Sequence, residues 1–130
     1  MYEAVTHGIA VTVEPQYMPD RSEPAKRQWF WAYTIEIANR TERAVQLKRR
    51  HWFITDGRGV THEVKGVGVV GEEPIIPPGE SYKYTSGCPL DTPDGFMVGQ
   101  FTMAGEDGDT FQVDIPAFAL DVPAIRRTLN

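Results

Sequence analysis

The segment Trp29-Phe-Trp-Ala-Tyr-Thr-Ile-Glu-Ile37 decides the fold class, because its large apolar residues recur with a period of two. Trp, Tyr and Ile occupy the odd positions, whereas the even positions hold Phe30, Ala32, Thr34 and Glu36. Successive side chains of a β-strand point to opposite faces of its sheet. The alternation therefore predicts a strand whose odd-numbered face packs into the core.

Similar alternation recurs along the chain in short runs that are separated by turn residues. The runs are Ile9/Val11/Val13, Tyr82/Tyr84, Met97/Gly99/Phe101/Met103 and Phe111/Val113/Ile115. Turn-forming pairs such as Asp56-Gly57 and Pro78-Gly79 lie between them. About seven to eight short strands without helical periodicity predict an all-β fold, an antiparallel β-sandwich of the fibronectin type III-like (immunoglobulin-like) kind. Only residues 124–129 are compatible with a helical turn.

Length and composition indicate one ordinary globular domain. A chain of 130 residues can build its own core, so we expect a single domain over residues 1–130. Cys88 is the sole cysteine, which excludes an intramolecular disulfide and favours the fibronectin-like variant over a true immunoglobulin domain. The N-terminus lacks a signal-peptide pattern, and no segment has the roughly 20 apolar residues that span a bilayer. We therefore expect a cytoplasmic protein that does not contact membranes.

The charge is unevenly distributed along the chain. A net charge of −5 argues against a general nucleic-acid binder. Residues 1–65 hold ten basic and eight acidic side chains, whereas residues 66–130 hold three and ten. This division is compatible with a basic patch and an acidic face that orient a partner, and also with an uneven scatter of solvated charges.

The stretch Lys65-Gly-Val-Gly-Val-Val-Gly71 has the G-x-G-x-x-G spelling of a dinucleotide-binding loop. Such a loop must open a helix whose N-terminal amides hold the phosphates. Here Glu72-Glu73-Pro74 and two further prolines follow, and they exclude a helix interior and repel phosphate. We interpret the glycines as a bulge, a bend or a close backbone approach in a β-segment. The alternative is an anion-binding nest of exposed amides, whose ligand-binding residues would be Lys65, Gly66, Gly68 and Gly71.

The basic run after residue 47 is a candidate surface for a partner. In a regular strand over residues 45–54, Val45, Leu47 and Phe53 share a face, which would turn Arg49 and His51 inward unless a bulge or twist intervenes. A cationic patch beside an aromatic side chain can take an acidic peptide, a phosphate or RNA. The alternative is that Arg49 pairs with a carboxylate at a sheet edge. The candidate partner-binding residues are Lys48, Arg49, Arg50 and Trp52.

Residues with catalytic or metal-binding chemistry are not arranged in recognisable motifs. The soft metal ligands, namely His7, His51, His62 and Cys88, do not show a recurrent ligand spacing. Ser86 lies outside the strand-to-helix elbow that a nucleophilic serine needs. The sequence therefore predicts no catalytic residue, no metal site and no cofactor, and it favours a protein that is not an enzyme.

The glycine run and the residues after it together resemble the ApaG (CorD) family. The residues that carry the resemblance are Gly66-Val-Gly-Val-Val-Gly71, Glu73-Pro74, Pro78-Gly79-Glu80, Tyr84-Thr-Ser-Gly87, Thr92-Pro93, Gly95, Met97 and Gly99. The resemblance covers essentially the whole chain, including the aromatic strand at Trp29. It implies a single ApaG domain with a fibronectin type III-like β-sandwich.

The resemblance also implies a range of functions. Bacterial members are associated with cobalt resistance and magnesium efflux, and similar domains occur in eukaryotic F-box and polymerase-interacting proteins, where protein–protein interaction is assumed. We therefore expect a non-enzymatic interaction module that binds another protein, with a homodimer through an edge strand as a further option. The alternative is a protein that binds pyrophosphate, a nucleotide or a divalent metal at residues 66–71, with or without hydrolase activity.

Overall fold

The computed structural model describes residues 1–123, which form nine strands and two short 3-10 turns. The predicted helical turn at residues 124–129 lies outside the described residues. The elements in chain order are β1 (Tyr2–Thr6), β2 (Ile9–Tyr17), the 3-10 turns Pro19–Arg21 and Pro24–Lys26, β3 (Trp29–Asn39), β4 (Val45–Asp56), β5 (Thr61–Val67), β6 (Ile75–Ile76), β7 (Ser81–Leu90), β8 (Asp94–Gly105) and β9 (Thr110–Asp121).

The strands form two antiparallel sheets that pack face to face. The four-stranded sheet has the order β1-β2-β3-β7. The five-stranded sheet has the order β5-β4-β8-β9, and the two-residue strand β6 pairs with the start of β4. The predicted fibronectin type III-like β-sandwich is confirmed, and β6 brings the number of described strands above the expected seven to eight.

The predicted core strand occupies the middle of the sandwich as β3. Trp31, Ile35 and Ile37 are buried on its odd-numbered face, while Glu36 on the even-numbered face is exposed. An aromatic cluster joins the two sheets at Tyr33, whose ring centroid lies 5.5 Å from that of Trp52 and 5.7 Å from that of Phe118. Burial of these large rings supplies much of the apolar area that stabilises the fold.

Strand β4 contains a β-bulge that reverses its faces. Its register against β8 shifts between Leu47 and Arg49, which leaves Lys48 as the extra residue. A single extra residue moves every following side chain to the opposite face. Trp52 is therefore only 3% exposed, whereas Phe53 is 37% exposed. The prediction that Phe53 shares the core face with Leu47 is wrong, because it assumed an uninterrupted strand.

A buried asparagine connects β3 to the following loop and to β6. Asn39 is 1% exposed, and its Nδ2 donates to the carbonyl oxygens of Arg43, at 2.8 Å, and Ile76, at 2.9 Å. Its Oδ1 accepts hydrogen bonds from the backbone N–H and the hydroxyl of Thr41. A buried amide with all these contacts fixes the path of the chain between the two sheets.

Replacing Asn39 with alanine is expected to lower the free energy of unfolding by about 2 kcal/mol, because the Ile76 carbonyl would remain buried without its donor. Urea denaturation followed by tryptophan fluorescence measures this change. Thr34→Ala is the matched control, since it removes an exposed hydroxyl pair with Thr85 and should change stability by less than about 0.5 kcal/mol. Equal effects of the two substitutions would contradict the assigned role of Asn39.

Candidate functional site

The glycine segment is a tight β-hairpin whose centre is anchored in the core. Val69 and Glu72 exchange two backbone hydrogen bonds, of 2.8 and 2.9 Å, around a two-residue turn. The turn residues Val70 and Gly71 have φ angles of 43° and 81°, which is typical of a type I′ turn. Val69 itself is 1% exposed. The hairpin therefore folds back at the edge of the sandwich and does not open a helix.

Close approach of the backbone requires glycine at position 68, whereas the close contact at position 66 is with the end of a flexible side chain. A Cβ atom on Gly68 would lie 2.2 Å from the carbonyl oxygen of Glu72, and one on Gly66 would lie 2.6 Å from the guanidinium carbon of Arg50. A Cβ on Gly71 would meet open space, so its positive φ is what favours glycine there. The G-x-G-x-x-G spelling thus arises from a packed β-hairpin.

Arg50 holds this hairpin from the inner side of β4. Its Nη1 donates to the carbonyl oxygens of Gly68, at 2.8 Å, and Val67, at 3.2 Å. The buried amide of Gly68 donates to the carbonyl of Lys48, and the Val69 amide is used within the hairpin. Carbonyl oxygens and not amides therefore face the cation. Of the predicted ligand-binding residues, Gly71 lies in an exposed turn, but the Gly68 amide is already hydrogen-bonded and cannot donate to a ligand.

The four candidate partner-binding residues do not form one surface. The Lys48 ammonium pairs with Glu73 at 2.7 Å, Arg50 is bound to the hairpin, and Trp52 is in the core. Arg49 is exposed, and among residues 1–123 it makes no ion pair within 4.0 Å. The predicted pairing of Arg49 with a carboxylate is therefore absent from this part of the chain, as is an exposed Trp52.

The bulge instead assembles a different group on the solvent side of β4 and β5. We call it the outer patch, and it consists of Arg49, His51, Phe53, Glu63 and Lys65. The ring of His51 lies 4.5 Å from that of Phe53, and its Nε2 is 2.5 Å from the Glu63 carboxylate. The hydrogen bond from His51, together with the nearby Lys65 ammonium, lowers the pKa of Glu63. Sequence reasoning placed His51 and Phe53 on one face of a regular strand but turned that face towards the core, because the bulge was not placed.

The structure also contains a cleft, at one end of the sandwich, that was not predicted from the sequence. It has a volume of about 490 Å³ and lies between β5, the end of β7 and the loop before β3. The Arg21 guanidinium stacks 4.2 Å above the Phe30 ring at its wall, and the Arg58 Nη2 donates to both carboxylate oxygens of Asp91, at 3.0 and 2.8 Å. Its lining side chains include Arg21, Arg27, Trp29, Phe30, His62 and Leu90. No sequence motif joins these residues, because they come from three separate segments.

Two buried side chains, Cys88 and Tyr84, have pKa values that favour their neutral forms. Burial raises the pKa of the Cys88 thiol from 9.0 to about 11 and raises the pKa of the Tyr84 hydroxyl as well. Within residues 1–123, no three His, Cys, Asp or Glu side chains are close enough together to hold a metal ion. None of the helical turns in this part of the chain could cross a bilayer.

We expect Cys88 in the native protein to react with iodoacetamide at pH 8.5 at least about tenfold more slowly than in urea, because the thiolate is the reactive form and the thiol is buried. Because the thiol has a lower pKa in the unfolded chain than in the folded one, its ionisation favours unfolding. The free energy of unfolding therefore falls as the pH rises above about 9 towards 11. Mass spectrometry of the alkylated protein measures the rate. Equal rates with and without urea would show that Cys88 is accessible.

The fold and these surfaces define a small β-sandwich domain with an anchored glycine hairpin and an exposed sheet face. Residues 19–105 match the model of the ApaG domain family. The proteins named ApaG from Afipia carboxidovorans and Xanthobacter autotrophicus are 59% and 55% identical over 130 residues, covering 100% of both chains in each case. This chain belongs to the ApaG family.

Solved structures agree with this assignment. The crystal structure of an ApaA protein from Bordetella pertussis superposes with a TM-score of 0.86 at 46% identity, covering 92% of this chain and 95% of that one. A second structure, a structural-genomics target, gives a TM-score of 0.87 at 43% identity and covers 98% and 96% of the two chains. The predicted family and its sandwich fold are therefore confirmed.

Proposed function

We propose that this protein is a non-enzymatic interaction module that binds an acidic segment of another protein on the outer patch. The observation that carries the proposal is the exposed Arg49 guanidinium, which lacks an ion-pair partner among residues 1–123 and lies on the same face as the stacked His51 and Phe53 rings. An exposed aromatic flanked by cations is a typical arrangement for anchoring a peptide that carries carboxylates.

The geometry of β4 and β5 supports a site of peptide size. His51 lies directly opposite Lys65, and Arg49 lies opposite Val67, so the Arg49 and Lys65 side chains are diagonal neighbours on one face. Carboxylates placed two residues apart on an extended peptide can reach both cations. Phe53 then offers an apolar contact at the far end of the patch.

The cellular role follows from the family resemblance alone. Because the resemblance associates related bacterial proteins with cobalt resistance and magnesium efflux, we propose that the module acts in divalent-cation homeostasis by regulating its partner. In this role the module binds the protein that handles the ion and does not bind the ion itself.

Affinity capture tests the proposal with wild-type protein and two charge-reversal variants. Arg49→Glu should lose the captured partner, with binding reduced at least about tenfold, because a hydrogen bond to a charged group is worth about 1.5–3 kcal/mol and the substitution adds a repulsive charge. Lys83→Glu is the matched control, since Lys83 is exposed on the other sheet. A partner that is recovered equally with wild type and Arg49→Glu would rule out the outer patch as its binding site.

The second candidate function is binding of pyrophosphate, a nucleotide or a divalent metal at the hairpin of residues 66–71. It is favoured by the exposed Val70–Gly71 turn, where a two-residue stretch of backbone at positive φ faces solvent close to Lys65 in sequence. Amide NMR titration with pyrophosphate, ATP, Co²⁺ and Mg²⁺ discriminates the two functions. Saturable shifts centred on the amides of the Val70–Gly71 turn would favour the second candidate, and unchanged spectra at millimolar concentrations would exclude it.

A further inference from the structure

One edge of the five-stranded sheet is covered by side chains of β1, whereas the opposite edge, at β5, is exposed to solvent. At the β9 edge, side chains from β1 bind backbone amides: the Thr6 hydroxyl accepts from the Asp114 N–H at 3.1 Å, and the Tyr2 hydroxyl accepts from the Ala119 N–H at 3.4 Å. At the β5 edge, every residue of the strand except Gly66 is exposed. Natural sheets cover or block their edges unless the edge is used for pairing.

Hydrogen bonds at the two ends of β5 show which of its residues point their backbone groups towards β4. The Val60 carbonyl accepts from the Asp56 N–H, and the Gly68 N–H donates to the Lys48 carbonyl, both at 2.9 Å. Even-numbered residues therefore point their N–H and C=O groups towards β4. Because these groups alternate along a strand, the odd-numbered residues of β5 point theirs away from the sheet, including Glu63 and Lys65 on either side of its central residue.

Exposed apolar side chains are concentrated along this same edge. Five of the nine large apolar residues exposed among residues 1–123 lie between positions 60 and 75. They are Val60, Val64, Val67, Val70 and Ile75, with exposed fractions of 40% to 64%. An open edge with flanking apolar side chains is the surface on which another strand gains both hydrogen bonds and apolar contacts.

We propose that a second copy of this chain pairs with it through β5, antiparallel and about a two-fold axis at Val64. In this register Glu63 of each copy lies opposite Lys65 of the other, in pairs that exchange backbone hydrogen bonds. Val64 lies opposite its own symmetry mate on the inner face, and Thr61 lies opposite Val67. The pairing joins two five-stranded sheets into one continuous sheet.

The charges of β5 select this register. Moving the axis to Glu63 would place two glutamates opposite each other, and moving it to Lys65 would place two lysines opposite each other, both of which are unfavourable. Only the axis at Val64 pairs all seven residues of the strand and gives two complementary ion pairs. This self-complementarity is what favours a second copy over a foreign strand.

The expected dimer is weak and leaves the outer patch accessible at Arg49. One strand pair buries less than the roughly 1,200 Å² of a standard interface, so we expect a dissociation constant on the order of 10–100 μM. The inference does not rest on the proposed function. Arg49→Glu should leave dimerisation unchanged, so failure of one proposal can be told from failure of the other.

Sedimentation equilibrium of the full chain between about 5 and 500 μM tests the dimer. Glu63→Lys alone and Lys65→Glu alone should each weaken it at least about tenfold, because each places like charges opposite each other. An equimolar mixture of the two single variants should associate again, since one copy then carries two acidic and the other two basic residues. A wild-type chain that stays monomeric at 500 μM, or variants that dimerise normally, would overturn the proposal.

Cysteine cross-linking tests the register independently of charge. Val64→Cys should form an intermolecular disulfide on oxidation, because residues at a two-fold axis between antiparallel strands face each other closely. Val60→Cys is the control and should not cross-link to itself, since it lies four residues from the axis. Absence of a disulfide between two copies at position 64, or protection of β5 amides that appears only when a different protein is bound, would overturn the second-copy assignment.

Discussion

Replacing Trp52 with alanine is expected to lower the free energy of unfolding by about 3–5 kcal/mol, the usual cost of removing a large aromatic side chain from a core. Trp52 is 3% exposed, and its ring lies 5.5 Å from that of Tyr33 and 5.8 Å from that of Phe118. The substitution would empty the centre of the aromatic cluster that joins the two sheets. Urea denaturation followed by circular dichroism measures the loss.

Phe53→Ala is the matched control, because Phe53 is the next residue in the chain and lies on the outer face. It should lower the free energy of unfolding by about 1 kcal/mol or less, since the ring is 37% exposed. The pair of variants tests the bulge at Lys48 directly. A larger loss for Phe53→Ala than for Trp52→Ala would mean that β4 runs without the bulge and that the outer patch does not exist.

The second large effect is expected at the glycine hairpin, where Gly68→Ala should cost about 3 kcal/mol or more. Gly68 has a φ of 64°, and a Cβ atom there would lie 2.2 Å from the Glu72 carbonyl oxygen. The clashing atoms belong to the backbone of the same hairpin, so the steric clash can be relieved only if the hairpin opens. Thermal or urea unfolding measures the change in stability.

Gly71→Ala provides the comparison within the same motif. Gly71 has a φ of 81° but open space around its Cβ position, so the cost should be only about 1 kcal/mol. A phosphate-binding loop would show the opposite dependence, with ligand affinity and not stability lost at each glycine. If both variants are as stable as wild type, the packed-hairpin description of residues 66–71 is incorrect.

Much of the architecture could be predicted from the sequence alone. The period-two pattern around Trp31 predicts β3 and its buried face, and the turn residues predict where strands end. The residues of the glycine segment, together with those that follow it, identify the ApaG family. These features depend on local chemistry, because alternation, turn preference and motif spacing are properties of a few neighbouring residues.

The candidate site was harder to predict from the sequence. The outer patch at Arg49 and Phe53 depends on one bulged residue, Lys48, and nothing in the run of residues around it marks the extra position. The bulge is set by the register of β4 against β8, whose pairing residues lie some 50 positions further along the chain. A prediction that assumes regular strands therefore exchanges the faces of Trp52 and Phe53.

By itself the sequence determined the all-β sandwich and the strand that centres it, because both are encoded in short-range periodicity and turn residues. The family was indicated by a resemblance that specific motifs carry. Only the tertiary structure decided which side chains of β4 are buried, which backbone groups the glycine hairpin uses, and which sheet edge stays open. The physical reason is that side-chain direction and hydrogen-bond partners are set by pairing between distant strands, where a single bulge or a single close contact reverses the outcome.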